Sequence, residues 1–124
     1  MNAHEEVKLV LLMSLDDLRG QGSKCDVLDN IAAQRYYKFT DHELMTKANR
    51  PELVWRNGFA WVRKTLVGLG YMDDPARNRW TITQKGRIYL ANLCSQAVLS
   101  AHNERLTPYA IARCRGILDA QKPK

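Results

Sequence analysis

The first segment of the chain carries apolar residues at the spacing of an amphipathic helix. Within residues 5–19, one face would hold Val7, Val10, Leu11, Ser14, Leu15 and Leu18. Glycines at positions 20 and 22 end this pattern. The segment is therefore expected to form a helix.

Two capped helices are predicted next. The first runs from Ser23, its cap, to Ile31, with an aspartate three residues after the cap completing a capping box. The second is short and runs from Thr40 to about Thr46. Its cap is clearer, because the Thr40 hydroxyl and the Glu43 carboxylate can each accept a hydrogen bond from the other residue's backbone N–H group.

The strongest helical pattern lies between Pro51 and Leu69, with the proline in the first turn and Gly70 at the end. Its apolar stripe comprises Trp55, Phe59, Val62, Leu66 and Leu69. The opposite face holds Asn57, Ala60 and Lys64, flanked by Arg56 and Trp61, with Arg63 nearer the core edge. Trp61 has two interpretations, packing against the following hairpin or contact with a partner, and the first is favoured.

A hairpin follows this helix directly. Residues 71–72 and 79–82 are predicted strands around a turn at 73–78, with Trp80 and Ile82 facing inward. Two further helices are predicted, one from the Thr83 cap to Leu99 and one after Thr107-Pro108. The latter would place Ile111, Cys114 and Leu118 on one side.

This order predicts a mainly α protein with a small β-hairpin, in the α+β class. We expect a winged helix-turn-helix with extra C-terminal helices. The winged-helix domain would span residues 1–100, and residues 101–124 would form a helical extension packed on the same domain.

Charge is unevenly distributed along the 124 residues, whose formal net charge is +6. Residues 1–45 hold five Lys or Arg against eight Asp or Glu, whereas residues 46–124 hold fourteen against five. A generally basic protein would spread its charge evenly. The asymmetry instead indicates one face turned toward a polyanion.

Other function classes find little support in the sequence. The longest apolar run, Leu9–Met13, is too short for a membrane span, and the acidic start is atypical of a targeting peptide. Three scattered cysteines are expected to be reduced thiols in a bacterial-type cytoplasm. Asp16 and Asp17 are expected to point in different directions and form no catalytic dyad. We therefore expect no catalytic site, metal, cofactor or small-molecule substrate.

The second half resembles the N-terminal winged-helix domain of Mrr-type restriction proteins. The resemblance rests on the following motifs and single residues: Trp55-Arg56-Asn57, Trp61, Leu66, Gly70-Tyr71, Arg79-Trp80-Thr81-Ile82-Thr83 and Lys85-Gly86-Arg87. Tyr71 stands where that family usually has leucine. The likeness covers roughly residues 40–90 and, more loosely, residues 5–39, and it implies a DNA-binding module.

The nuclease activity of such proteins does not carry over. Family members usually continue into a domain with an Asp and a Glu/Gln-x-Lys on adjacent strands, which hold a divalent metal. This sequence ends some forty residues past the hairpin, and its only Glu-x-Lys, Glu6-Val7-Lys8, lies in a predicted helix. That motif is expected to be a solvated first turn.

The resemblance and the charge pattern predict double-stranded DNA as the partner. Asn57 would pair with adenine, Arg56 with guanine, and Lys64 would share their groove, while Arg77, Arg79 and Lys85 would hold phosphates. The full predicted set is Arg50, Arg56, Asn57, Ala60, Arg63, Lys64, Arg77, Arg79 and Lys85.

Less specific interpretations of these residues stay open. The outer arginines and lysines could be solvated charges, and Asn57, beside Gly58, could cap or bend the helix. The protein would be a stand-alone recognition or regulatory protein related to restriction systems. The alternative is a winged helix that docks a partner enzyme subunit or dimerises through its C-terminal helices.

Overall fold

A computed structural model describes residues 1–121; the last three positions of the predicted C-terminal extension lie outside this range. The helices of the described part are α1 (Ala3–Asp17), α2 (Lys24–Gln34), a 3₁₀ helix (His42–Leu44), α3 (Val54–Gly68), α4 (Gln84–Leu99) and α5 (Pro108–Ala120). The strands are β1 (Gln21–Gly22), β2 (Met72–Ala76) and β3 (Arg79–Ile82).

Helix α1 lies at the centre of the fold rather than on its surface. It contacts α2, α3, α4, α5 and the sheet, and every residue from Leu9 to Leu15 is buried. Of the six residues that define the predicted helical pattern, Val7 and Leu18 are only half-buried. A helix enclosed by others must be apolar on all sides, which its run of leucines supplies.

The sheet has three antiparallel strands in the order β1–β3–β2, one more than the predicted hairpin. Gln21 pairs with Thr81 and Gly22 with Trp80, and the Ile82 N–H donates to the Gly20 carbonyl at 2.9 Å. Gly20 has a φ of +98°, a conformation that favours glycine. Two residues of extended chain leave no alternating pattern, so the sequence offered no sign of β1.

Helix α3 begins at Val54, three residues later than predicted. Thr46 and Leu53 form an isolated antiparallel bridge, and the Val54 N–H donates to the Met45 carbonyl at 2.8 Å. These contacts hold the segment around Pro51 outside the helix. On the predicted stripe, the structure buries Trp55, Phe59 and Leu66, while Val62 is half-buried and Leu69 is 45% exposed.

Local caps form as predicted. Ser23 and Asp26 complete the capping box of α2, although the helix continues to Gln34. The Thr40–Glu43 box also forms, with distances of 2.9 and 3.2 Å. It opens only a three-residue 3₁₀ helix.

The C-terminal helices α4 and α5 pack on each other. Both are capped as predicted, by Thr83 and Thr107. Cys94 and Cys114 are fully buried. The hydrogen bond from the Cys94 thiol to Cys114, together with burial, raises the pKa of Cys94.

Glu6 fastens this helix pair to α1. Its side chain is fully buried, and its carboxylate accepts hydrogen bonds from the backbone N–H groups of Glu104 at 3.1 Å and Arg105 at 2.7 Å. The prediction that Glu6-Val7-Lys8 is a solvated first turn is therefore wrong for Glu6. Its carboxylate instead compensates two backbone donors between α4 and α5.

The element order and sheet confirm the predicted fold class. Helix α1, strand β1, helices α2 and α3, and the β2–β3 hairpin follow in the order of a winged helix-turn-helix, and α4 and α5 are additional. The protein is mainly helical with a small antiparallel sheet, an α+β winged-helix-like fold.

Candidate nucleic-acid interface

An open groove of about 640 Å³ lies between α3 and the β2–β3 hairpin. We call this hairpin, Met72–Ile82, the wing, and the cavity the α3–wing groove. Helix α3 lines it with Asn57, Ala60, Trp61, Arg63 and Lys64. The wing lines it with Asp74, Ala76, Arg77, Asn78 and Trp80, and Lys24 and Arg50 complete the lining.

The core of the protein sets which face of α3 meets the groove. Trp55, Phe59 and Leu66 are buried, so residues on the opposite side of the helix point away from the core. Asn57 and Lys64 are seven residues apart, almost two helical turns, and therefore lie on that outer side.

The tip of the wing is held against the start of α2. Asn78 has a left-handed φ of 55°, which asparagine tolerates in a turn. Its side-chain oxygen accepts a hydrogen bond from the Lys24 backbone N–H at 3.1 Å. Sequence reasoning did not place Lys24 or Asn78 at the site, because this contact joins residues 54 positions apart.

Arg63 is neutralised inside the groove. Its guanidinium lies 2.7 Å from the Asp74 carboxylate and 5.1 Å from the centre of the Trp80 ring. The ion pair orients Arg63 across the space between helix and wing. Asp74 also places a negative charge in the lining of the groove.

Asn57 is held in place by a neighbouring cation. The Lys47 ammonium donates to the Asn57 side-chain oxygen at 3.1 Å. Nearby, Lys24 lies 2.5 Å from Glu52. The hydrogen bond from Lys24 is the main cause that holds the pKa of the Glu52 carboxyl below its usual range, with burial opposing it.

Arg56 lies outside the groove. Its guanidinium pairs with Asp29 at 2.8 Å and lies 5.5 Å from the centre of the Trp55 ring. The structure therefore directs Arg56 toward α2 rather than toward the groove-lining face with Asn57.

Two of the three predicted phosphate contacts also lie outside the groove lining, and only Arg77 is part of it. Lys85 donates to the Leu69 carbonyl at 2.9 Å, which satisfies a backbone group at the end of α3. Its ammonium also lies 5.2 Å from the Tyr71 ring centre. Arg79 is exposed on β3.

Trp61 stands exposed at the edge of the groove. The residue is 61% exposed, and the Lys64 ammonium lies 4.5 Å from its ring centre. The favoured prediction that Trp61 packs against the wing is wrong, because most of its surface is open. The cation next to the ring restricts its orientation without burying it.

Asp16 and Asp17, the adjacent pair considered above as a catalytic dyad, have a structural partner. Arg113 binds Asp17 and Asp16, each at 2.7 Å, so these two side chains converge on one guanidinium instead of diverging as predicted. Within residues 1–121, no group of three or more His, Cys, Asp or Glu side chains could hold a metal ion. No helix in the same range is long and apolar enough to cross a bilayer.

Comparison with known families identifies one family model that matches most of the chain. The family model of the Mrr N-terminal domain matches residues 5–92, which run from the first turn of α1 into α4 and include the α3–wing groove. No curated protein and no solved structure matches the chain. Because the match spans well over half of its residues, the chain belongs to the Mrr N-terminal domain family.

Proposed function

We propose that the protein binds double-stranded DNA through the α3–wing groove and its rims, as a recognition or regulatory module of a restriction-related system. The observation that carries the proposal is the charge of the groove. Five cationic side chains, Lys24, Arg50, Arg63, Lys64 and Arg77, line it against a single acid, Asp74. Such an excess attracts phosphates, and it belongs to a helix and a hairpin, elements that fit DNA grooves.

The cations of the groove differ in their availability to phosphate. Lys24 and Arg63 already pair with Glu52 and Asp74. Among the described residues, Arg50, Lys64 and Arg77 have no carboxylate within ion-pair distance. These three are the main phosphate contacts in our proposal, and Asn57, on the outer side of α3, is the main base contact.

The structural contacts of three carboxylates support a binding role without catalysis. The ordered carboxylates at Glu6, Asp16 and Asp17 are occupied by backbone donors or by Arg113. The module would therefore supply recognition, and any cleavage would depend on another polypeptide segment or a partner.

A duplex-DNA titration at two salt concentrations tests this proposal. The three main phosphate contacts predict a loss of affinity of about fortyfold between 50 and 200 mM salt. Lys64→Ala and Arg77→Ala should each reduce the slope of log affinity against log salt by roughly one. Arg115→Ala is the matched control, because it removes one exposed cation from α5, away from the groove.

Two results would contradict the proposal. One is the absence of binding at low salt by protein whose folding is verified by circular dichroism. The other is an Arg115→Ala effect as large as that of Arg77→Ala, which would indicate attraction by net charge alone.

A second candidate function is self-association through the C-terminal helices. Ile88 and Leu99 on α4 are exposed apolar residues. Sedimentation equilibrium of the parent and of Leu99→Ser tests it. A monomer at all concentrations would dismiss it, and a dimer that Leu99→Ser dissociates would support it.

A further inference from the structure

The indole of Trp61 is an exposed aromatic group in the lining of the α3–wing groove. Tryptophan has one of the largest apolar surfaces of any residue, and burial of that surface is strongly favourable. Two other tryptophans, Trp55 and Trp80, are buried. Trp61 instead stands beside a cavity, with Lys64 4.5 Å from its ring centre.

The cavity next to Trp61 has the size and chemistry of a site for a small planar group. Its volume of about 640 Å³ falls in the range of ligand pockets, about 300–1,000 Å³. The buried ring of Trp80 forms part of its lining, and Asn57, Asp74 and Asn78 supply amide and carboxylate groups. A nucleobase needs this combination, since it has apolar faces and an edge of hydrogen-bond donors and acceptors.

The charge around the cavity limits the source of such a base. Arg50, Lys64 and Arg77 border the same groove, so a base that carries phosphates on both sides is favoured over a free base. In intact duplex DNA both faces of a base are covered by its neighbours. A base can stack on Trp61 only after it has left the helix.

We propose that the α3–wing groove accepts one nucleobase that has left the DNA stack, with Trp61 as its stacking platform. This inference rests on the proposed function, because it takes the base from duplex DNA. The flanking phosphates lie along the cationic rim, and the edge of the base faces the polar groups of the wing and of Asn57. The site prefers DNA in which one base is already unpaired, since that base costs the least to extrude.

The test compares a fully paired duplex with the same duplex carrying one unpaired 2-aminopurine nucleotide. The parent protein should bind the second DNA at least fivefold more tightly, as expected for one base stacked on an aromatic side chain. Trp61→Ala should lose this preference while it keeps its affinity for paired DNA. Trp61→Phe should keep most of the preference, because phenylalanine also presents an aromatic face.

Tyr109→Ala is the matched control, because Tyr109 is an aromatic residue on α5 with nearly the same exposure, 58% against 61%. It should retain the full preference. The emission of 2-aminopurine should be lower in the complex with the parent than in the complex with Trp61→Ala, since stacking on an aromatic ring quenches it. All variants should melt like the parent, because neither aromatic side chain is part of the core.

The outcomes separate this inference from the proposed function. Equal affinity of the parent for paired and unpaired DNA, or a preference that survives in Trp61→Ala, overturns the stacking site and leaves duplex binding intact. Failure to bind either DNA at low salt overturns both. A preference lost in Tyr109→Ala as well would also overturn it, because the effect would then not be local to the groove.

Discussion

Trp55 and Trp61 stand six residues apart on α3 but have opposite environments. Trp55 is 3% exposed and packs between Phe39 and Phe59, with ring centres at 4.6 and 5.2 Å. Trp61 is 61% exposed, and the ammonium of Lys64 lies 4.5 Å from its ring centre. Both residues are tryptophans with a cation near the ring. Neither the residue type nor the neighbouring charge therefore explains why one side chain is buried and the other is exposed.

The two faces of α3 therefore have separate tasks. The face around Trp55 joins an aromatic cluster with Tyr37 and holds the helix on the domain. The face around Trp61 lines the α3–wing groove, and it is the binding face in our proposal. Substitutions on the first face should change stability, and those on the second face should change binding.

The largest expected effect is on the buried face. Trp55→Ala should lower the free energy of unfolding by about 3–5 kcal/mol, because it empties the aromatic cluster. Trp61→Ala should stay within about 0.5 kcal/mol of the parent. Urea denaturation followed by circular dichroism measures both free energies. Similar denaturation midpoints for the two variants would contradict the assignment of Trp55 to the buried face and Trp61 to the exposed face.

The pH dependence of the free energy of unfolding tests the burial of Tyr37 in the aromatic cluster. Burial raises the pKa of Tyr37 to about 12, although the nearby Arg105 opposes the shift. In the unfolded chain this tyrosine ionises near pH 10. The contribution of neutral Tyr37 to the free energy of unfolding is therefore complete below pH 10. As the pH rises toward 12 this contribution is lost, which lowers the free energy of unfolding by about 2 kcal/mol. The fall between these pH values should be smaller in Tyr37→Phe, and identical curves would contradict the assignment.

On the groove face, Asn57→Ala should affect sequence preference. We expect it to reduce discrimination between a selected site and a scrambled duplex by about 1–3 kcal/mol, with little change on random DNA. Arg79→Ala should weaken binding to both DNAs about equally, as expected for a residue that contacts phosphate. Site selection from a random pool followed by titration measures this, and an unchanged preference in Asn57→Ala would exclude Asn57 as the base contact.

Asp74→Asn should have the smallest effect, and in the opposite direction. Removing this carboxylate frees Arg63 and lowers repulsion of phosphate, so DNA affinity should rise by about 1 kcal/mol. Asp73→Asn is the matched control, because Asp73 is the adjacent acid and does not line the groove. Weaker binding by Asp74→Asn would mean that the ion pair with Arg63 shapes the site instead of competing with DNA.

Features set by neighbouring residues in the chain could be predicted from the sequence. The caps at Ser23, Thr83 and Thr107 are examples, since each depends on a side chain and a backbone group three residues away. The start of α3 could not be predicted, because the bridge between Thr46 and Leu53 overrides the preference of Pro51 for a first helical turn.

The residues of the candidate site show the same difference between features set by neighbouring residues and features set by distant ones. Helical periodicity predicted that Asn57 and Lys64 share the outer face of α3, and both line the α3–wing groove, because the apolar stripe fixes the rotation of α3. Arg56 was assigned to the wrong surroundings, since its partner Asp29 lies 27 positions away on another helix. Only the folded structure reveals such a partner.

The buried Glu6 carboxylate joins the two ends of the domain into one cooperative unit. Its two hydrogen bonds connect residues 98 and 99 positions apart, so almost the whole chain must be ordered before they form. If α4 and α5 separated from α1 while the rest stayed folded, this carboxylate would lose both donors, and with them the stabilisation of two hydrogen bonds to a charged group, about 1.5–3 kcal/mol each. Partial unfolding of the C-terminal helices is therefore penalised, and hydrogen exchange in α5 should follow global unfolding rather than local fraying.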